Sequence, residues 1–405
     1  MVQIAILGFG VVGSGTAQVL TENEKLIAER VGEPINIKYI LDLRDFPEHP
    51  LGNRVVHDIS VILEDPEISI VAEMMGGSHP AYDFSKAALL AGKSVVTSNK
   101  EVVSTFGVEL LSIAREKGVS YLFEASVGGG IPIIRPMQTD LASNRILAVS
   151  GILNGTTNYI LSKMKNEGAA FDAALKEAQK AGYAEANPAA DVEGVDAARK
   201  IAILSALAYG ALQSPKTIPT KGITGITPLY VAAAKALGGA VKLIGRTCRI
   251  EGKIYSEVSP YFVPAANPVS HIEDVFNGIL VDTDMLGRAL FYGAGAGKLP
   301  TASAVVADII DVASHSAKER KNPTWREAQA EELASADAYR VPRVVLIDGC
   351  VRCAAKAKDA LAATRCEELG EGKFALVSAP MSETETVNVM KETGISVVGI
   401  LPVLN

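Results

Sequence analysis

Four carboxylates and one lysine crowd the stretch Tyr183-Ala-Glu-Ala-Asn-Pro-Ala-Ala-Asp-Val-Glu-Gly-Val-Asp-Ala-Ala-Arg-Lys200. Asp196 and Lys200 are four residues apart, on one face of a helix that begins near Val195. It continues through Ile201, Ile203, Leu204 and Leu207, a run too apolar for an exposed surface. Glu185, Asp191 and Glu193 fall in the loop that feeds its first turn, a loop broken at Asn187-Pro188. An ammonium beside carboxylates where water is scarce is an arrangement suited to gripping a charged substrate and moving a proton. The alternative is an ordinary helical Asp/Lys pair, worth about 0.2–0.5 kcal/mol, with the loop acids in solvent.

The elements that must position this chemistry begin at the N-terminus. Val2-Gln-Ile-Ala-Ile-Leu7 reads as a short β-branched strand, followed by Gly8-Phe-Gly10-Val-Val-Gly13 and a helical run through Ala17 and Leu20. That order suits a pyrophosphate. Gly8 permits the tight turn, Gly10 lets backbone approach the ligand, and Gly13 lets helix pack on strand, while the amides around Val11 and Val12 open a helix toward the phosphates. A second strand, Ile35–Leu41, ends at Asp42, where a carboxylate can accept from the adenosine ribose of NAD. Arg44 can turn toward the 2′-phosphate of NADP, or can pair with Asp42 in the loop, and the residues leave these alternatives open. Strands at Ile68–Met74, Ser94–Thr97 and Ser120–Glu124 alternate with helices at Tyr82–Ala91 and Glu101–Lys117, the rhythm of a doubly wound parallel sheet. In such sheets ligands bind beyond the carboxyl ends of the strands. This nominates Gly76-Gly77-Ser78, Thr97-Ser-Asn-Lys100 and Glu124-Ala-Ser-Val-Gly-Gly-Gly-Ile131. Glu124 and its glycine-rich loop offer a carboxylate and several carbonyls, a hard oxygen set able to hold a cation, or else simply a loop that glycine keeps close to a neighbour.

After Pro136 the alternation gives way to an α+β mixture, with strands at Arg145–Leu153, Lys242–Ile250, Ile254–Tyr261 and Ile279–Thr283. Tyr292-Gly293-Ala-Gly295-Ala-Gly297 reads as a glycine-rich loop before a helix over Ala302–Ala313, opened by Pro300-Thr301. From Arg340 the order is strand Arg343–Ile347, helix Arg352–Ala363, strands near Cys366 and at Phe374–Ser378, helix Thr384–Thr393 and strand Ser396–Pro402. This is a βαββαβ, ferredoxin-like pattern without catalytic clusters, read as a regulatory or assembly module.

With 405 residues, 48% of them hydrophobic and 21% charged, the chain is expected to fold as two or three domains. A net charge of −7 and the lack of long basic runs argue against nucleic acid as a partner. No secretory leader and no apolar run of membrane length are read, so a soluble cytoplasmic protein is expected. Cys248, Cys350, Cys353 and Cys366 give neither a disulfide framework nor a zinc set, and free thiols are expected.

Six stretches in order carry a resemblance to the homoserine dehydrogenases over residues 1–320. They are Gly8-Phe-Gly-Val-Val-Gly-Ser-Gly15, Thr97–Lys100, Glu124–Pro132, Gly151-Ile-Leu-Asn-Gly-Thr-Thr-Asn158, Asp191–Lys200 and Gly293–Ser303. The resemblance implies interconversion of L-homoserine and L-aspartate 4-semialdehyde with NAD or NADP, a step toward threonine and methionine. Lys200 matches the proton-transferring lysine, while Glu185 and Asp196, with Asp191, match acids that hold the substrate. Lys100 matches a second lysine at cofactor and substrate, and Thr97, Gly182 and Gly297 match cofactor contacts. Glu124 and the carbonyls of Val127, Gly129 and Ile131 match a sodium site. The implied fold is α/β in three parts. A Rossmann-type parallel sheet (1–135, completed by helix 300–320) precedes an α+β substrate and dimerisation domain (136–299) and a small ferredoxin-like, ACT-like domain (340–405); the assembly is a homodimer or homotetramer.

Two departures stand out. Asp42 falls where many members carry arginine, and the Asp-x-Pro-Gly turn usual in the ACT-like domain is missing. Two rival readings are weaker. A dinucleotide-sensing regulator has no need of the charge density at 185–200. An aspartate-semialdehyde dehydrogenase needs a cysteine nucleophile in the crevice, and no cysteine precedes Cys248.

Overall fold

The computed structural model describes residues 1–315 and 322–405 and divides into two compact units. The first holds Met1–Arg145, Ala202–Pro215 and Phe291–Glu327; the second holds Ile146–Ile201, Lys216–Leu290 and Ala328–Asn405. The elements in chain order begin with β1 (Val2–Leu7), α1 (Val11–Glu22), α2 (Glu24–Val31), β2 (Ile35–Leu41), β3 (Val55–Val56) and α3 (Ser60–Leu63). Next come β4 (Ile68–Glu73), α4 (Ala81–Leu90), β5 (Ser94–Thr97), α5 (Lys100–Lys117), β6 (Tyr121–Leu122) and α6 (Ile134–Gln138). Beyond these lie β7 (Ile146–Ile152), α7 (Gly155–Glu167), α8 (Phe171–Lys180), α9 (Ala189–Val192), α10 (Val195–Tyr209), β8 (Ala211–Leu212) and α11 (Pro228–Ala236). They are followed by β9 (Gly239–Ile250), β10 (Lys253–Pro264), β11 (Phe276–Thr283), β12 (Arg288–Ala294), α12 (Lys298–Ser314) and β13 (Arg326–Glu327). The chain closes with β14 (Arg343–Asp348), α13 (Val351–Ala360), β15 (Arg365–Gly370), β16 (Lys373–Val377), α14 (Glu383–Thr393) and β17 (Ser396–Pro402).

The first unit is built on a six-stranded parallel sheet in the order β3-β2-β1-β4-β5-β6, the doubly wound arrangement expected from the βα alternation. The last four residues of β1 are all buried, as a central parallel strand covered on both faces requires. Ile4, Ile6, Ile40, Ile70 and Val96 of the sheet join Ala17 and Leu20 of α1 and Val305 and Ile309 of α12 in one core. Each of the Ile, Leu and Val side chains contributes roughly 1.5–3 kcal/mol on burial. α12 begins at Lys298, four residues before the helix read from the sequence, because Pro300 is tolerated in a first turn whose amides need no intrahelical partner. Of the helix expected over 300–320, positions 316–320 lie outside the described residues.

In the second unit β7 pairs antiparallel with β9 and β11 within a five-stranded sheet ordered β10-β9-β7-β11-β12. β12 runs three residues into the stretch from Tyr292 expected as a glycine-rich loop; pairing at the sheet edge makes residues 292–294 strand. The last 60 or so residues form a four-stranded antiparallel sheet, β15-β16-β14-β17, with α13 and α14, which is the ferredoxin-like order expected for βαββαβ. Within the second unit it is tied to the larger sheet where Leu404 N donates to the Phe262 carbonyl at 2.9 Å, and to the end of α11 where Arg365 Nη1 donates to the Leu237 carbonyl at 2.7 Å.

Candidate active site

Gly8, at φ +86°, makes the turn out of β1; a Cβ there would lie 3.1 Å from the Met74 carbonyl oxygen. At Gly13 a Cβ would strike the Gly8 carbonyl at 2.0 Å, so only glycine lets α1 close on β1. Gly10 behaves differently: nothing lies within 4 Å of its missing Cβ, and it caps α1 without a side-chain hydrogen bond. The first-turn amides of α1, with Val11 exposed, therefore open onto free space, the geometry that holds a pyrophosphate. A cavity of about 470 Å3 here is lined by Gly8, Gly10, Asp42, Arg44, Met75 and Gly76, among others.

Asp42 sits at the end of β2 with its Oδ2 accepting from Phe9 N at 2.8 Å, which ties the strand end to the glycine turn. Arg44 grips the same carboxylate with Nε and Nη2, both at 3.0 Å, and its backbone N donates at 3.0 Å. The guanidinium, helped by the Phe9 and Arg44 amides, holds Asp42 well below the usual carboxylate range, at about 2. Of the alternatives the residues left open, the structure forms the Asp42–Arg44 pair.

At the ends of β4 and β5 stands a carboxylate that sequence reasoning missed. Glu73 is fully buried, and burial pushes its carboxyl up to about 7. Its oxygens accept from Thr97 Oγ1 at 2.6 Å and Met75 N at 2.7 Å. Thr97 Oγ1 accepts in turn from Asn99 N at 2.9 Å; Asn99 Nδ2 donates to the Met75 and Gly77 carbonyls, and Asn99 Oδ1 caps α5 through Glu101 N and Val102 N. This network fixes the strand end from which Lys100, the first residue of α5, projects, and it turns the Thr97 hydroxyl inward. The one available signal was a lone acid in the otherwise apolar run Ile68-Ser-Ile-Val-Ala-Glu-Met74.

Glu124 is buried, and its carboxylate is occupied by backbone amides. Oε1 accepts from Ile133 and Ile134 at 2.7 and 2.8 Å, and Oε2 from Arg135 at 2.7 Å, so it caps α6. Asp308 of α12 accepts from Glu124 N at 2.8 Å and pairs with Arg135 Nη2 at 2.6 Å; burial, then the charge of Glu124, pushes its carboxyl up to about 8. Val127, Gly129 and Ile131 are buried, and among the described residues no hydrogen bond reaches their carbonyl oxygens. Three buried carbonyls without a donor among the described residues are the neutral, hard oxygens that a small cation takes. Gly129, at φ +56°, packs where a Cβ would lie 2.5 Å from the Gly295 carbonyl, and Gly297 caps α12.

In the second unit the charged stretch folds into a buried network. Lys200 is 7% exposed and Asp196 4%. Lys200 Nζ donates to Asp196 Oδ2 and to the Leu153 carbonyl, both at 2.7 Å. Asn154 links the acids: its Nδ2 donates to Asp191 Oδ1 at 2.7 Å and Asp196 Oδ2 at 3.0 Å, while its Oδ1 caps α7 through Thr157 N. Such burial takes the pair out of the regime of exposed helical pairs; removing one member of a buried pair costs about 3–5 kcal/mol. Glu185 is exposed on the loop after α8, outside this network, and Gly182 makes the turn that leaves α8 at φ +77°. Asn154, too, was missed as a site residue. Its signal was an N-cap asparagine closing an apolar strand, at Ile152-Leu-Asn-Gly155.

A glycine turn opening a helix at the centre of a parallel doubly wound sheet, together with a buried lysine–carboxylate network, defines a dinucleotide-dependent oxidoreductase. Two family models match the chain: "Homoserine dehydrogenase, NAD binding domain" over residues 8–124 and "Homoserine dehydrogenase" over 132–310. The chain belongs to the homoserine dehydrogenase family. A homoserine dehydrogenase of Pseudomonas aeruginosa is 43% identical over 313 residues, covering 77% of this chain and 72% of that protein. The crystal structure of a homoserine dehydrogenase from Thiobacillus denitrificans matches with TM-score 0.88 and 35% identity, covering 100% of this chain and 98% of that one. A hyperthermophilic archaeal homoserine dehydrogenase mutant in complex with NADPH matches with TM-score 0.67 and 28% identity, covering 79% of this chain and 99% of that one. Among the described residues no helix is long and apolar enough to cross a membrane.

Proposed function

We propose that the protein interconverts L-homoserine and L-aspartate 4-semialdehyde with NAD or NADP, a step toward threonine and methionine. Most of the support comes from one observation, the buried network of Asn154, Asp191, Asp196 and Lys200. When bound, the dinucleotide supplies the nicotinamide that accepts or returns the hydride. Lys200 Nζ, steadied by Asp196 and the Leu153 carbonyl, takes the proton from the substrate hydroxyl in oxidation and returns it to the aldehyde oxygen in reduction. Oxidation releases a proton and reduction takes one up, so the two directions have displaced pH optima, that of oxidation the more alkaline. Asp191 and Asp196, with Glu185 on the exposed loop, supply negative charge for the substrate's α-ammonium, a group that a plain alcohol lacks.

The turn at Gly8, Gly10 and Gly13, with the amides of Val11 and Val12, holds the pyrophosphate. Thr97, Lys100, Gly182 and Gly297 complete the cofactor contacts. Asp42 favours NAD through the ribose hydroxyls, and Arg44 must leave it before a 2′-phosphate is admitted. A sodium ion, when bound at the Glu124 loop, would be held by the carbonyls of Val127, Gly129 and Ile131, the Glu124 carboxylate being taken up by the Ile133, Ile134 and Arg135 amides. The ferredoxin-like module at 340–405 acts as an ACT-like regulatory domain, beside a dinucleotide domain over 1–135 with α12 and a substrate domain over 136–299. The protein works in the cytoplasm as a homodimer or homotetramer.

Initial rates of homoserine oxidation, measured with NAD and NADP separately and with and without threonine, test the activity. Reduction of neither cofactor would remove the function outright.

A further inference from the structure

Cys350 and Cys353 have no role in the chemistry above, yet the fold sets them against each other. Cys350 is the exposed N-cap of α13, and Cys353 stands at the third helical position, half-buried, with their Sγ atoms 3.1 Å apart. Room for the second sulfur comes from Gly349, where a Cβ would lie 2.8 Å from Cys353 Cβ and 3.1 Å from its Sγ. The loop carrying both is pinned to the β15–β16 turn, where Gly349 N donates to the Gly372 carbonyl at 2.8 Å. The Cys353 thiol and the amides of Cys353 and Arg352 hold the Cys350 thiol below its ordinary range, as expected at a helix start. Cys366 and Cys248 contrast with it, since burial pushes both thiols up.

We propose that Cys350 and Cys353 form a reversible dithiol–disulfide couple that exchanges with low-molecular-weight disulfides, Cys350 attacking first and Cys353 resolving. The Cys350 thiolate attacks one sulfur of the disulfide RS–SR, whose S–S bond breaks to release RS−, leaving Cys350–S–SR. Cys353, its proton passing to the released thiolate, then attacks the Cys350 sulfur and expels the second RS−, which takes a proton from solvent. Two thiols and one disulfide become one disulfide and two thiols, and the two electrons leave the cysteine pair for RS–SR. Closure asks for about 1 Å of sulfur movement. The ring it makes is too short to restrict the unfolded chain much, and exposure of Cys350 leaves it open to reductant, so the bond is labile rather than structural.

The test is exposure of the full chain to glutathione disulfide, followed by alkylation, intact mass and peptide mapping. The wild type should lose two hydrogens, with the new bond mapped to Cys350–Cys353, Cys248 and Cys366 still alkylated, and glutathione reversing the change. Cys353→Ser should stop with one glutathione on Cys350, and Cys350→Ser should react roughly ten-fold more slowly or worse. Should Cys350→Ser fail to fold, the first two proteins decide. A wild type that retains glutathione on Cys350 without closing, or whose Cys350 reacts no faster than Cys366, overturns the proposal.

Discussion

Glu73 offers the sharpest test of how the crevice is built. Its carboxyl is fully buried, and the donors from Thr97, Met75 and Asn99 recover only part of the desolvation, leaving it at about 7 against an ordinary 4.5. Raising a carboxyl from 4.5 to about 7 corresponds to about 3 kcal/mol. The sign follows from proton counting. Between pH 4.5 and 7 the folded chain holds a proton that the unfolded chain has lost, so this contribution is complete below 4.5 and disappears as pH rises through 7. Glu73→Gln cannot ionise and abolishes that slope. Relative to wild type it should gain up to about 3 kcal/mol between pH 5 and 8.5, on top of a constant offset from whichever donor the new amide faces. Trp325, the only tryptophan in the chain, packs in the same unit against Phe123, with ring centroids 5.2 Å apart, so its fluorescence reports unfolding of that unit. Urea titrations of both proteins followed at Trp325 across this pH range give the comparison. Parallel stability curves, with a difference independent of pH, would show that Glu73 is not a buried acid titrating near neutrality.

Lys200→Ala should lower kcat for homoserine oxidation by about 10²–10⁴-fold while leaving dinucleotide binding intact, once circular dichroism shows the whole variant folded. Turnover within a few-fold of wild type would exclude Lys200 as proton carrier. Asp42→Ala removes an acceptor worth about 1.5–3 kcal/mol per charged hydrogen bond and releases Arg44, so KM for NAD should rise roughly ten-fold or more while KM for NADP falls. An unchanged ratio of the two would refute a role in cofactor choice. Gly129→Ala combines a left-handed backbone with a Cβ 2.5 Å from the Gly295 carbonyl, and should lower stability by about 1–3 kcal/mol in the Trp325 urea titration. Equal midpoints would mean that the loop moves aside freely. Glu185→Gln, at an exposed loop position, should raise KM for homoserine more than for the dinucleotide; equal changes in both would argue against its place at the α-ammonium.

Much of this protein was legible in residue order, because its strongest signals are local. Gly8 and Gly13 are dictated by a positive φ and by one backbone contact within six residues, so the strand, turn and helix around them could be read directly. Hydrophobic period delivered the parallel sheet and the βαββαβ order at the C-terminus, since both depend on which face each short segment buries. The pairing of Asp196 with Lys200 followed from helical spacing alone. What the tertiary structure decided are the meetings of distant residues. Asn154 reaches acids 37 and 42 positions away, Glu124 caps a helix nine residues on, and Glu73 is sealed in by strands that are neighbours only in the sheet. Val55–Val56 and Ala211–Leu212 are strands only because they have partners. Burial, and with it the protonation of Glu73 and Asp308, is a property of everything packed around a side chain, and no local pattern of residues encodes it.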